Sequence, residues 1–210
     1  MQNNIGMTFN LDNVMGIATS IPEMVGEWLA VDILTETYDF VLRDKVQSVV
    51  KIMTKNPKDI EVISSYVPAG KQLMISGSYM GWQNPDGTLA YCIVPSLIKL
   101  GINGNIDFLG ISFAEGNFFG RVAGAYTMLG TDLIHFNLLC EHVEKSEAGY
   151  TESETHVPIV LEANDSNVNF ASRFIEDDRQ LRVVANFTAW EGGHAFKCRR
   201  PDLGMKPRGE

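Results

Sequence analysis

From Asp59 onward the chain runs in short stretches whose apolar and polar positions alternate: "DIEVISSYV", "KQLMISGSYMGW", "TLAYCIV", "NIDFLGISFA", "FFGRVAGAYTML", "DLIHFNLLCEHV", "NVNFASRFI", "QLRVVANFTAW" and "HAFKCRR". A period of two over four to eight residues predicts strands, roughly nine to twelve in all, with few helical interruptions. Asn84-Pro85-Asp86-Gly87 is the clearest turn, because proline presets its first central position and glycine accepts positive φ. Glu115-Gly116-Asn117, Asp177-Asp178 and Gly192-Gly193 are further turns, and the polar segment 144–155 predicts a long loop. Upstream the pattern is weaker. Residues 44–53 suit a strand or a single helix, and 13–26 suit a short helix or irregular segment.

The C-terminal third allows a register to be drawn. Turning at Asp177-Asp178 sets Phe174 against Leu181, Ser172 against Val183, Phe170 against Ala185 and Val168 against Phe187. Turning again at Gly192-Gly193 sets Ala189 against Phe196, Phe187 against Cys198 and Ala185 against Arg200. One face is apolar throughout, and closing such a meander removes its unpaired edges. The expected fold is therefore all-β, an antiparallel and mostly up-and-down barrel, with a sandwich as the alternative. Without an internal repeat of 20 to 50 residues, the expected organisation is an N-terminal extension over 1–25, one barrel over 26–203 and a tail over 204–210.

Charge and composition narrow the partners. The chain of 210 residues carries a net charge of −9, and no window concentrates Lys and Arg, which argues against nucleic acid. No signal peptide or membrane-spanning run is visible, so a soluble, cytoplasmic chain that does not engage membrane is expected. Cys92, Cys140 and Cys198 are widely spaced and suit buried thiols, and the sequons at Asn164 and Asn186 carry weight only in a secreted protein.

Gly26-Glu27-Trp28, at the start of the β-region, and Arg199-Arg200, on the last predicted strand, resemble the calycin superfamily, the lipocalin-like barrels. The resemblance implies that an arginine, Arg200 by register, packs over Trp28 and ties the first strand to the last. Thr131-Asp132 is similar to the family's T-D-Y turn, with Leu133 in place of tyrosine.

Candidate chemistry gathers around Gly130-Thr131. As a two-residue turn it pairs Tyr126 with His135, Gly124 with Asn137 and Gly120 with Glu141. His135, Tyr126, Glu141 and Arg121 then supply acid, base or oxyanion stabilisation. Trp28, Met128, Asn137, Phe170, Phe174, Phe187 and Phe196 line a ligand chamber. His142 takes over from His135 if the opposite face, Ile134, Phe136, Leu138 and Cys140, is the inner one. Glu191 and His194 flank a second turn. The histidines lack metal-ligand spacing, nucleotide and hydrolase motifs are absent, and no cofactor or metal is expected. The expected function is binding of a hydrophobic small molecule with cofactor-independent acid/base chemistry of isomerase, cyclase or lyase type. The alternatives are a carrier without chemistry and an interaction sheet, and the partly apolar second face leaves room for a homodimer.

Overall fold

The computed structural model describes residues 10–39, 44–86, 89–103, 115–146, 149–190, 193–198 and 201–203. In chain order these form β1 (Asn10–Ala18), β2 (Glu23–Val25), β3 (Trp28–Asp39), β4 (Asp44–Thr54), α1 (Pro57–Tyr66), β5 (Lys71–Gln83), β6 (Leu89–Asn103), β7 (Glu115–Leu129), β8 (Leu133–Ser146), β9 (Gly149–Glu162), α2 (Asp165–Phe174), β10 (Gln180–Trp190), β11 (Gly193–Cys198) and β12 (Asp202–Leu203). The protein is all-β and barrel-like with few helices. Among the described residues no helix is long and apolar enough to cross a membrane.

The pairings close the sheet twice. In the first ring β1 pairs with β3 and β5, β3 with β4 and β5 with β6, while β6 returns parallel to β4 at Ile52–Ile93. In the second, β7 pairs with β8 and β10, β8 with β9 and β10 with β11, while β11 returns parallel to β9 at Phe196–Ile159. This corrects the up-and-down order and the single closure over 26–203, since a parallel closing pair needs a crossover, supplied by α1 and by α2. It also corrects the N-terminal extension, because β1 is a wall of the first barrel. The tail over 204–210 lies outside the described residues.

Both helices occupy segments expected as strands. Asn56 and Asn164 cap them, their side chains accepting from the backbone N–H of Lys58 and Asn167. Buried Ile63 on α1 with its C-cap Val67, and Asn167, Phe170 and Ala171 on α2 with its C-cap Ile175, follow the helical period. The competing alternation of Val168, Phe170, Ser172 and Phe174 is what mimicked a strand. The first proposed register at the C-terminus is therefore absent. The second is shifted by two residues, with Phe187 facing Phe196 and Ala185 facing Cys198. The segment 144–155 belongs largely to β8 and β9 instead of a loop, and 44–54 and 10–18 are strands.

The two rings repeat one another at an offset of 108 residues. Residues 56–82 align without a gap on 164–190: Asn56 with Asn164, Gln72-Leu73 with Gln180-Leu181, Tyr79 with Phe187 and Trp82 with Trp190. Gly70 and Asp178 fall in equivalent places, both with positive φ, 84° and 65°. Each sits in a turn where the residue after it donates to a carbonyl three residues back, Lys71 to Pro68 and Arg179 to Glu176.

An aromatic seam joins the barrels. Beyond its bulge at Ser76/Gly77 the β5–β6 hairpin, still paired to β4 at Ile93, presents Tyr79 and Tyr91 to the second barrel. Tyr79, 1% exposed, packs edge-on to Phe118 and Phe196, and its hydroxyl is bonded to Nε2 of the buried His194. Tyr91 packs tilted against His194, with ring centroids 3.8 Å apart, and lies 5.8 Å from Phe187. Gly81 is required here, since a Cβ would stand 2.3 Å from the carbonyl of His156. Burial keeps the Tyr79 phenol protonated, raising its pKa well above the ordinary value, and pushes the His194 imidazole down to about 3.

Two outcomes follow from these features. Gly70→Ala has open space around its new methyl but must hold positive φ, so it is expected to cost about 1 kcal/mol. A lowered denaturant midpoint with an unchanged m-value would show this; an unchanged midpoint would refute it. Because His194 is neutral in the fold and titrates near 6.5 when unfolded, the unfolded chain binds the extra proton as pH falls from about 6.5 to about 3. The stabilisation from neutral His194 is complete above that window and is lost through it. The double variant Tyr79→Phe/His194→Phe removes both hydrogen-bond partners together, so it should stay within about 1 kcal/mol of the parent at pH 7.5 and lose stability less steeply in acid. Parallel pH profiles of melting temperature for the two proteins would exclude His194 as a contributor.

Candidate functional site

The outer face of β3 and β4 is where exposed aromatic and cationic side chains converge. Inward positions Leu29, Val31 and Ile33 on β3 and Val50 and Ile52 on β4 fill the first barrel. The alternate positions therefore point outward. Their pairs run Ala30–Met53, Asp32–Lys51, Leu34–Val49, Glu36–Gln47 and Tyr38–Lys45. Trp28 ends the row, with the Lys55 ammonium 5.2 Å from its ring centroid. Tyr38 is 41% and Val49 54% exposed. Lys51 is bound to Asp32 at 2.9 Å and Lys45 to Glu36 at 3.3 Å. The lysines are exposed and their carboxylate partners half-buried, so the ammonium groups stay within reach of an anion that competes with Asp32 and Glu36.

The equivalent face of the second barrel differs in charge and in burial. Its pairs are Leu133–Glu162, His135–Val160, Asn137–Pro158, Leu139–His156 and Glu141–Glu154. Val160 and Leu139 are 1% and 8% exposed, and these five pairs contain no lysine; Lys145, opposite Tyr150, lies two pairs further along the row. Arg121, on adjoining β7, is held by Glu154 at 2.6 Å, Glu141 at 3.8 Å and Asp178 at 3.9 Å. Three acids around one guanidinium leave this face with no cationic surplus. Counted along the sequence, residues 10–103 carry seven Lys/Arg and ten Asp/Glu, a net of −3, whereas 115–198 carry six and thirteen, a net of −7.

The expected chamber does not form, because its residues are dispersed. The turn after β7 spans three residues, with Leu129 opposite Leu133 and Thr127 opposite His135. A bulge at Gly124, φ 77°, shifts the register between Ala123 and Thr127. Tyr126 consequently packs against the core while His135 lies on the outer face beside Thr127, 3.5 Å from its hydroxyl. Burial lowers the His135 pKa. Asn137 shares that outer face, and Ile134, Phe136, Leu138 and Cys140 are the inner set. Glu141 and Arg121 form an exposed ion cluster, and Met128 is exposed near the hairpin end.

Phe170 and Phe174 pack against each other on α2, their rings tilted, while Phe187 and Phe196 belong to the seam. Trp28 lies under Lys55; Arg200, expected over it, is outside the described residues, as are Glu191 and the His142 side chain. Sequence reading missed Tyr38, Lys45, Lys51 and Lys55. Their signal was present: the three lysines share odd positions with Gln47, Val49 and Met53, so a strand there puts all of them on one face.

No family model matches the chain, and no curated protein is similar to it in sequence. Among solved structures, the wild-type single-stranded DNA binding protein from Thermus aquaticus is similar with a TM-score of 0.66 at 10% identity, over 98% of this chain and 97% of that one. A deletion mutant of that protein is similar with a TM-score of 0.63 at 10% identity, over 98% and 99%. The shared fold extends over nearly the whole length of both chains. It overturns the resemblance to calycins and, with it, the hydrophobic small-molecule ligand, the isomerase, cyclase or lyase chemistry and the exclusion of nucleic acid. Net charge is a sum over the chain and does not decide what a single face can engage, so it could not carry that exclusion.

Proposed function

We propose that this protein binds single-stranded DNA along the outer face of β3 and β4. The observation that carries the reading is the row on that face: Trp28, Leu34, Tyr38 and Val49 among Lys45, Lys51 and Lys55. Each barrel has the five-stranded make-up of an oligonucleotide-binding fold, whose second and third strands face the ligand; in the first barrel these are β3 and β4. Aromatic rings accept any base by stacking, and lysines track the phosphates, a combination that holds single strands without reading their sequence. The likeness to the Thermus aquaticus protein supports the same reading. Asp32 and Glu36 temper it, acting as internal competitors for the lysines that phosphate would engage. The two barrels serve as one unit, held by the aromatic seam.

Fluorescence anisotropy with oligothymidylate tests the proposal. Tyr38→Ala or Trp28→Ala is expected to weaken binding roughly 5-fold to 150-fold, the equivalent of about 1–3 kcal/mol per stacked base. With three lysines engaged, log K should fall against log salt with a slope of about −2, and Lys45→Gln/Lys51→Gln should bring it to about −0.7. Asp32→Asn/Glu36→Gln should tighten binding. No measurable affinity at low salt, or an affinity indifferent to all of these changes, would rule the face out.

A further inference from the structure

Resting on the proposed function, a second element of the same surface can be assigned in the other barrel. A cleft of about 550 Å³ opens between the end of β9, the start of α2 and the β10–β11 hairpin, lined by Glu162, Asn164, Asn167, Asn186, Lys197 and Cys198. Three amides, an ammonium, a carboxylate and a thiol give it a polar rim over a floor that is well buried. Asn167 is 4% exposed and Cys198 1%. Asn167 is fixed by donating to the Glu162 carbonyl at 2.8 Å, and Asn164 caps the helix. Lys197 holds Glu162 at 2.5 Å. Cα pairing places Asn186 directly opposite Lys197. This volume lies within the range of pockets that hold small ligands, and side-chain amides offer the paired donor and acceptor that match a base edge.

The cleft is connected to the β3–β4 face through the sheet. β10 pairs parallel with β3 at Ala189–Asp39, and the Thr188 hydroxyl donates to the Tyr38 carbonyl. Paired residues in a pleated sheet point to the same side, so Tyr38, Thr188 and, two residues along, Asn186 share one surface. Lys197 is on that surface as well. A two-residue step and a strand spacing separate Tyr38 from the cleft by a backbone distance on the order of 10 Å, a span that a strand leaving Tyr38 can cover.

We infer that the cleft is a nucleotide subsite: single-stranded DNA leaving Tyr38 crosses the β3–β10 seam and places one unstacked base among Asn164, Asn167 and Asn186, with its phosphate drawing Lys197 from Glu162. The second barrel thus contributes through its β10–β11 side, and its acidic β8–β9 face stays clear of the strand.

Two oligothymidylates discriminate, one of about 8 nucleotides, enough for one barrel face, and one of about 24, enough to cross the seam. Asn186→Ala and Lys197→Gln lie on exposed or half-buried positions, and unchanged melting temperatures would confirm that they fold. Each is expected to weaken binding of the longer oligomer about tenfold and leave the shorter one unchanged, while Tyr38→Ala weakens both. If the longer oligomer binds the cleft variants as tightly as the parent while Tyr38→Ala still weakens it, the subsite is refuted and the β3–β4 interface stands. If neither oligomer binds the parent protein, the interface and the subsite fall together. Glu162→Gln, which releases Lys197, should tighten binding of the longer oligomer only; tightening of both lengths equally would indicate general electrostatics and overturn the subsite.

Discussion

The packing of rings from both barrels around the buried Tyr79–His194 pair is the constraint on which the arrangement depends. A closed barrel has no free sheet edge, so two of them have little to hold them together beyond the ends of their strands. Here one hairpin of the first barrel presents two tyrosines to the Phe118, Phe187 and Phe196 cluster of the other. A phenol and an imidazole buried apart would each lack a partner at a cost of about 1–3 kcal/mol, so each is held in register by the other. The seam fixes where β3 meets β10, and with that the continuity of the outer surface across both barrels.

The two barrels share a scaffold and differ in what they present. Equivalent residues still build the helix cap, the positive-φ turn and the inward-facing strand positions, at the 108-residue offset. Outside, the first barrel keeps lysines and aromatics on β3–β4, whereas the second has acids around Arg121 and buried Leu139 and Val160 on β8–β9. Repetition of this kind holds the core constant, because packing tolerates few changes, and leaves exposed positions open to diverge.

Much of the strand content was legible because alternation survives without knowledge of partners. Two helices were not, since Val168, Phe170, Ser172 and Phe174 satisfy a period of two while Asn167, Phe170, Ala171 and Ile175 satisfy the helical one; burial of the latter set decides the matter. The duplication was legible in principle, as Asn56 to Trp82 aligns on Asn164 to Trp190, but its period exceeds that of the short repeats sought. Pairing Tyr126 with His135 failed for a local reason. The positive φ at Gly124 and a three-residue turn moved the register, and one residue of slip sends a side chain to the opposite face.

By itself, then, the sequence determined an all-β chain, the parity that puts Lys45, Lys51 and Lys55 on one side of a strand, and the buried character of its cysteines. These are properties of neighbours within a few residues, where spacing alone dictates which side chains share a face. Only the tertiary structure decided that the sheet closes twice, that Tyr79 of one barrel is core to the other, and that Tyr38 stands beside Thr188, 150 residues away. Contacts between residues so far apart depend on how the ends of the strands meet, which periodicity does not encode.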